Sequence, residues 1–423
     1  MKFVRYDSYK YSDVDWFDTI PKEWSVTHLK RLSKNITDGA HTSPDTSSND
    51  YPFLSVVDLK DNKLDFENCL FTSKGDYEKL LRNGCKPKLN DVLFSKDGTI
   101  GETFVIQEDK EFVVGSSFII ISPNTKKINP SFLNYLLSSP IMKYQSRSNV
   151  KGIGLPRISI FNTSKMIITY PDKINEQIEI SNYLDIKTQK IDSEISILEQ
   201  KIEKYKELKQ TLIAETVLIG LDKNVELKDS EIEWIGNIPK YWEVKRLKDF
   251  IKFTIGGEVI DVSYWNDGTE LTYTAGKNPV LSTFNNFPDR KRTKQNDILI
   301  ARNGDGFIHV PKLNSIFTNV VQLVRLSKKV DVKFIFYALE NIKYHINKTS
   351  NGDFIASLNK DMWFNSFIIT PKYEEQVEIA NYLDKKTSKI DSIIEVIGKK
   401  IEVLKEFRKT LINDVVTGKV KVA

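Results

Sequence analysis

The sequence predicts an α+β protein. Two strand-rich globular domains are separated by two long helices, paired as an antiparallel coiled coil, with an internal pseudo-twofold repeat relating the halves. Three observations predict it. One stretch occurs twice, opening EQIEISNYLDIKTQKID at Glu176 and EQVEIANYLDKKTSKID at Glu375, and each copy runs through a charged segment to a shared TLI. Both copies carry apolar residues at helical spacing. A second repeat precedes each globular region: Tyr9–Leu29 reads YKYSDVDWFDTIPKEWSVTHL and Leu227–Leu247 reads LKDSEIEWIGNIPKYWEVKRL.

Residues 1–170 hold an N-terminal segment and the first globular domain. Trp16, Pro21 and Trp24 align with Trp234, Pro239 and Trp242 of the second half, which assigns these tryptophans structural places. After Trp24 come short β-branched and aromatic runs broken by Gly, Asn, Asp and Pro, a strand-rich pattern. Val92–Ile106 reads as a hairpin around glycine turns. Residues 171–220 form the first long helix. Its apolar positions are Ile191, Ile195, Leu198, Ile202, Tyr205, Leu208 and Leu212, spaced 4, 3, 4, 3, 3 and 4. That is a heptad seam with one stammer. Residues 221–226 are a short polar linker, and 227–370 form the second domain, where Ile298–Val310 matches the first hairpin. Residues 371–423 hold the second long helix and a tail. Its seam repeats the first, stammer included, at Ile390, Ile394, Ile397, Ile401, Leu404, Phe407 and Leu411. Glu203 and Lys206, matched by Glu402 and Lys405, put the same pair on the outer face. About 40 helical residues give a rod on the order of 60 Å long. Each seam needs a partner, and the other copy has the matching register. The packing residues are therefore Ile191, Ile195, Leu198 and Ile202 against Ile390, Ile394, Ile397 and Ile401.

The formal net charge of +5, from 62 basic and 57 acidic residues, permits a polyanion partner without demanding one. Cys69 and Cys85 lack metal-ligand spacing and read as free thiols of a cytoplasmic protein. The N-terminus has no apolar run of a signal peptide, and no segment approaches the roughly 18 apolar residues of a membrane span. No catalytic signature holds. There is no GxxxxGK[ST] loop and no GxSxG elbow. Gly152 and Gly154 lack the strand-then-helix setting of a dinucleotide site. Asn129-Pro130-Ser131-Phe132 only echoes an amino-methyltransferase tetrad, Pro288-Asp289 lacks a nearby nuclease partner, and His28, His41, His309 and His345 are scattered. Three readings stay open. The chain could read two different things at a fixed separation, which suits half-sites on a DNA duplex. It could be a stand-alone methyltransferase or nuclease, or a coiled-coil scaffold with two protein-binding heads.

The order of motifs is more specific. Each globular region comes after IPKxWxVxxL (Ile20–Leu29, Ile238–Leu247), holds a glycine hairpin after NDVLF or NDILI (Asn90, Asn296), and leads into EIxNYLD (Glu179, Glu378). Over nearly the whole chain this order resembles the specificity subunit of type I restriction-modification systems. The resemblance implies two target-recognition domains, each reading one half of an asymmetric split DNA sequence. It implies that the paired helices set the gap and dock two modification subunits, which hold S-adenosylmethionine and methylate adenine. Restriction subunits that use ATP and Mg and cut DNA join that core. The chain itself would carry no cofactor, no metal and no catalytic residue.

Basic and polar side chains beside glycine loops are the candidates for contact with double-stranded DNA. In the first domain these are Thr42, Ser43, Lys96, Lys151 and Arg157. In the second they are Lys277, Arg302, Asn303, Lys348 and Asn351. Asp91 and Asp297, matched across the copies, are assigned to turn capping.

Overall fold

The computed structural model describes residues 4–60, 63–148, 156–302, 305–349 and 360–422. The chain forms two compact units, Met1–Leu198 with Lys400–Ala423, and Glu199–Lys399. The division falls inside the long helices, so each unit combines one globular domain with half of each helix.

In the first unit the hairpin Tyr9–Val14/Phe17–Pro21 leads to strand Trp24–His28. That strand pairs antiparallel with Ile167–Pro171, the last strand before the helix, so entry and exit of the domain close on each other. Between them lies a four-stranded sheet in the order Thr103–Val105, Val92–Ser95, Phe118–Pro123, Ser33–Asp38. Its face packs on a three-stranded sheet of Val113–Val114, Tyr51–Leu54 and Leu70–Thr72, burying Leu54, Leu93, Val114, Phe118 and Ile120. The second unit repeats this plan. Glu243–Arg246 pairs with Phe367–Thr370, and the four-stranded order is Ile251–Gly256, Val321–Leu326, Asp297–Ala301, Ile308–His309. Trp265–Tyr273 lies between Val280–Ser282 and Ile316–Phe317 in the three-stranded sheet.

The repeated letters have local causes. Asn90 and Asn296 take positive φ, 72° and 64°, a conformation asparagine tolerates. The next residue caps the turn as assigned: Asp91 Oδ2 accepts from Lys88 N at 2.8 Å and Asp297 Oδ2 from Lys294 N at 2.7 Å. Trp24 and Trp242 are fully buried, and each Nε1 donates to the glutamate opening the helix of its unit, Glu176 at 3.0 Å and Glu375 at 3.2 Å. The adjacent glutamines tie helix to domain. Gln177 accepts from Asn129 N and donates to Pro171 O; Gln376 accepts from Asp331 N and donates to Pro371 O. The aspartate of NYLD is a tether as well, since Tyr135 donates to Asp185 at 2.6 Å and Tyr337 to Asp384 at 2.8 Å.

The first long helix spans Ile174–Ile219 and the second Tyr373–Val416. In the first unit Asp192 pairs with Arg408 and Glu194 with Lys400, so one helix half ascends as the other descends. In the second unit Lys209 pairs with Asp391, while Ile213 and Val217 share a core with Ile379 and Leu383, again antiparallel. Ile191, Ile195, Ile390, Ile397 and Ile401 are buried, and Leu198, Ile202 and Ile394 are half-buried.

The stammer is a correction. Leu208 and Phe407, assigned to the seam, are 52% and 37% exposed. Their neighbours Lys209 and Arg408 take the seam position instead, with side chains 26% and 22% exposed that end on Asp391 and Asp192. Counted through them, the first helix steps 191, 195, 198, 202, 205, 209, 212, an unbroken heptad. Long aliphatic stems fill the seam while the charged heads reach a carboxylate at its edge.

Each helix stops at a positive-φ glycine, Gly220 at 91° and Gly418 at 76°. A Cβ on Gly220 would lie 3.0 Å from the Trp242 ring, and one on Gly418 would lie 2.4 Å from Pro21. The duplicated Trp and Pro thus receive a helix end as well as a helix start.

Candidate nucleic-acid interface

Both strands beside Phe118–Pro123 run antiparallel to it, so Ser33–Asp38 and Val92–Ser95 end at the same edge of the sheet. The loops that leave this edge begin at Gly39 and Lys96, and residues 115–117 enter it. In the second unit Ile251–Gly256 and Asp297–Ala301 likewise end together, beside the start of Val321–Leu326. Glycine is required where the first loop departs. A Cβ on Gly39 would meet the carbonyls of Val114 and Gly115 at 2.2 and 2.3 Å, and one on Gly257 those of Phe317 and Thr318, both at 2.3 Å. The next residue is pinned on both sides. Ala40 N donates to Val114 O and Ser116 N to Ala40 O; Glu258 N donates to Phe317 O and Asn319 N to Glu258 O.

This edge collects part of the candidate set. Thr42 and Ser43 are exposed in the loop after Gly39. Arg157 is exposed and its Nη2 lies 2.9 Å from Asp97 Oδ2. Lys96, expected at the surface, is only 4% exposed, because its Nζ turns inward to Asp38 Oδ2 at 2.5 Å. His41 Nε2 meets the same oxygen at 2.9 Å. Burial pushes the Asp38 carboxyl up, but the Lys96 bond and charge, with His41, outweigh it and hold the group below the usual range. In the second unit Arg302 is exposed and donates through Nη2 to Asn319 O. Lys277 is exposed on the loop after Trp265–Tyr273. Lys151, Asn303 and Asn351 lie outside the described residues; Lys348 belongs to helix Val332–Thr349, and its side chain lies outside them too.

Sequence reasoning passed over Asp38, Glu258 and Lys291, and set His41 aside with the scattered histidines. Lys291 Nζ lies 2.5 Å from Glu258 Oε1 and donates to Gly256 O at 3.2 Å. The signal available was an acid next to glycine at the end of a β-branched run, Asp38-Gly39 and Gly257-Glu258. Among the described residues no group of His, Cys, Asp and Glu could hold a metal ion, and no helix is long and apolar enough to cross a membrane. Cys69 and Cys85 are buried free thiols.

A family model described as the type I restriction modification DNA specificity domain matches residues 21–204 and again 239–406. The chain is 26% identical over 443 aligned positions to the putative type I restriction enzyme MjaX specificity subunit of Methanocaldococcus jannaschii, covering 100% of this chain and 99% of that one. It is 27% identical to the EcoBI specificity subunit of Escherichia coli over 182 residues, 42% of this chain and 36% of the relative. A chain from a solved type I restriction-modification system, described in terms of complex assembly and conformational transition, superposes with a TM-score of 0.70 at 15% identity. That superposition covers 95% of this chain and 99% of the other, and it shows a common fold. The two matched segments fall on the two globular domains and the helices attached to them. This is a type I restriction-modification specificity subunit, the non-catalytic member of its system, which recognises a DNA target through two domains.

Proposed function

We propose that the two sheet edges read the two unlike halves of an asymmetric DNA sequence, with the paired helices setting the gap between them. The observation that carries this is one frame dressed in different loops. Gly39 and Gly257 make the same backbone crossing, yet the loop beyond it runs AHTSPDTSS in one domain and EVIDVSYW in the other. Thr42, Ser43, Arg157 and the segment holding Lys151 serve the first half. Lys277, Arg302, Asn303, Lys348 and Asn351 serve the second, and Lys96 acts from beneath through Asp38. Residues 1–170 and 227–370 do the reading, while 171–220 and 371–423 form the spacer, joined through 221–226.

The helices also hold the docking surface for two modification subunits, to which restriction subunits are added. In the first unit Ile197 and Val403 are strongly exposed and Phe407 partly so; in the second Leu208, Ile393 and Val396 are exposed. All six lie on one flank of the heptad, and Ile197 matches Val396 as Leu208 matches Phe407. Matched apolar positions turned to water in both units fit one partner bound twice. S-adenosylmethionine, ATP and Mg belong to those partners, and the complex works in the cytoplasm. The test is to purify the chain with its neighbouring modification subunit and map methylation over a DNA library. A two-part motif with unlike halves is the expected result; methylation without sequence preference, or a single undivided motif, sinks the reading. Ile197→Glu with Val396→Glu should abolish co-purification of the modification subunit while the chain keeps its unfolding midpoint.

A further inference from the structure

In each unit an acid held by a lysine stands where the first strand of the four-stranded sheet gives way to its loop, Asp38 as the last strand residue and Glu258 two residues past the strand's end. Asp38 takes Lys96 and Glu258 takes Lys291, both at 2.5 Å. The residues are not equivalent. Asp38 precedes the crossing glycine and Glu258 comes after it. Lys96 leaves the hairpin strand, whereas Lys291 sits in the short helical turn Asp289–Lys291. The same charge pair has thus been built twice from different positions, which points to the pair rather than to a shared ancestor residue.

A carboxylate at an edge that faces DNA is repelled by the phosphates unless a cation beside it cancels the charge. Even then it adds nothing toward the backbone, because an ionised carboxylate only accepts hydrogen bonds and phosphate oxygens only accept them. The donors that DNA turns outward in its major groove are the amino groups cytosine N4 and adenine N6. A clamped acceptor at such an edge is therefore blind to phosphate and selective for bases. Both contacts to Asp38 fall on Oδ2, and the Lys291 contact falls on Oε1 of Glu258, so in each case they leave the second oxygen. The backbone at Glu258 is fixed by its two bonds to the Phe317–Asn319 turn, and Asp38 pairs with Ile119 in the sheet, so neither acid is on a free loop.

We propose that Asp38 and Glu258 are specificity-determining acceptors, each reading an exocyclic amino group in its own half of the target, with Lys96 and Lys291 as positioning residues. This rests on the sheet edges being the DNA-facing surfaces. The test uses the full chain in complex with its modification subunit and selection from a random DNA library. Asp38→Asn should lower the preference for one amino-bearing base in the first half by about tenfold, the size of one lost base contact, and leave the second half unchanged. Glu258→Gln should do the converse. The double variant Asp38→Leu/Lys96→Met, which replaces the pair of buried lysine and half-buried aspartate by apolar groups, should flatten the same position, and Lys96→Met alone should broaden it. Placing purine deoxyriboside for adenine, or 2-pyrimidinone deoxyriboside for cytosine, at that position removes N6 or N4. Wild type should lose about tenfold with only one of them, which identifies the base, and Asp38→Asn should lose nothing further. Unchanged preferences in variants that retain the wild-type unfolding midpoint overturn the proposal while the two-part motif stands. A wild type without a two-part motif overturns the underlying reading as well.

Discussion

Trp24 and Trp242 each give an indole N–H to a glutamate, and that glutamate takes a second bond from a tyrosine. Tyr6 reaches Glu176 at 2.9 Å and Tyr241 reaches Glu375 at 3.3 Å, although the two tyrosines occupy unrelated places in the repeat. Replacing Trp24 by Phe keeps an aromatic ring but removes the indole donor and part of a fully buried ring system. The loss should be about 1–3 kcal/mol, read by urea unfolding, and Trp242→Phe should behave alike. His309 offers a pH signature. Burial, with Lys343 adding to it, holds its pKa below the ordinary value against a raising contact from the Gly276 backbone. The ring packs against Tyr273 at 5.1 Å. A histidine whose folded pKa is depressed binds fewer protons folded than unfolded, so stability falls as pH drops below about 6.5 toward the folded value. His309→Phe should flatten the midpoint of the second unit between about pH 7 and pH 5; an unchanged slope would assign the dependence to other groups. At this scale the sequence revealed matched tryptophans and turn-capping aspartates because they lie inside strong repeats. It did not reveal that Lys96 turns inward, since its partner Asp38 is 58 positions away and belongs to a different strand. A lysine beside glycine carries no letter that says which side of the sheet it occupies.

Among the elements, the long helices and both hairpins were legible, because period, length and glycine turns agreed over many residues. The register at Leu208 was not. An apolar residue next to a charged one draws the seam to itself, and only the partner aspartates on the other helix reverse the choice. Replacing the seam cations with leucine, as Lys209→Leu with Arg408→Leu, should therefore raise the unfolding midpoint, since partly exposed ion pairs contribute little and added apolar seam contributes more. Truncating Ile397, which is buried, to Ala should cost about 2–4 kcal/mol. Leu208→Ala should cost well under about 1 kcal/mol. If the Leu208 loss equals that of Ile397, the seam runs where the sequence first placed it.

For the whole molecule, the duplication was readable from the order of motifs alone, while the loops that distinguish the halves were not, because they share no pattern to compare. Arg302→Ala should relax reading of one half-sequence by about 1–3 kcal/mol if the guanidinium meets a guanine, and leave the other untouched. Methylation mapping decides it, and equal changes in both halves would contradict two independent readers. DNA affinity should also fall steeply with salt, with a log-log slope of about 0.9 per phosphate contact, measured by titration in rising chloride.

The crossing at Gly39 and Gly257 has a consequence for how such a protein changes over generations. The backbone on the sheet side is clamped to a neighbouring strand's carbonyls, so strain from the loop beyond it is not transmitted inward. Lengthening a flexible loop there costs only about 0.6 kcal/mol per doubling. Mutations, insertions and recombined segments can then accumulate past the glycine as nearly silent variants while the frame goes on folding. A lineage carrying this chain can drift from one DNA target to another through intermediates that remain folded, and each half can drift on its own clock.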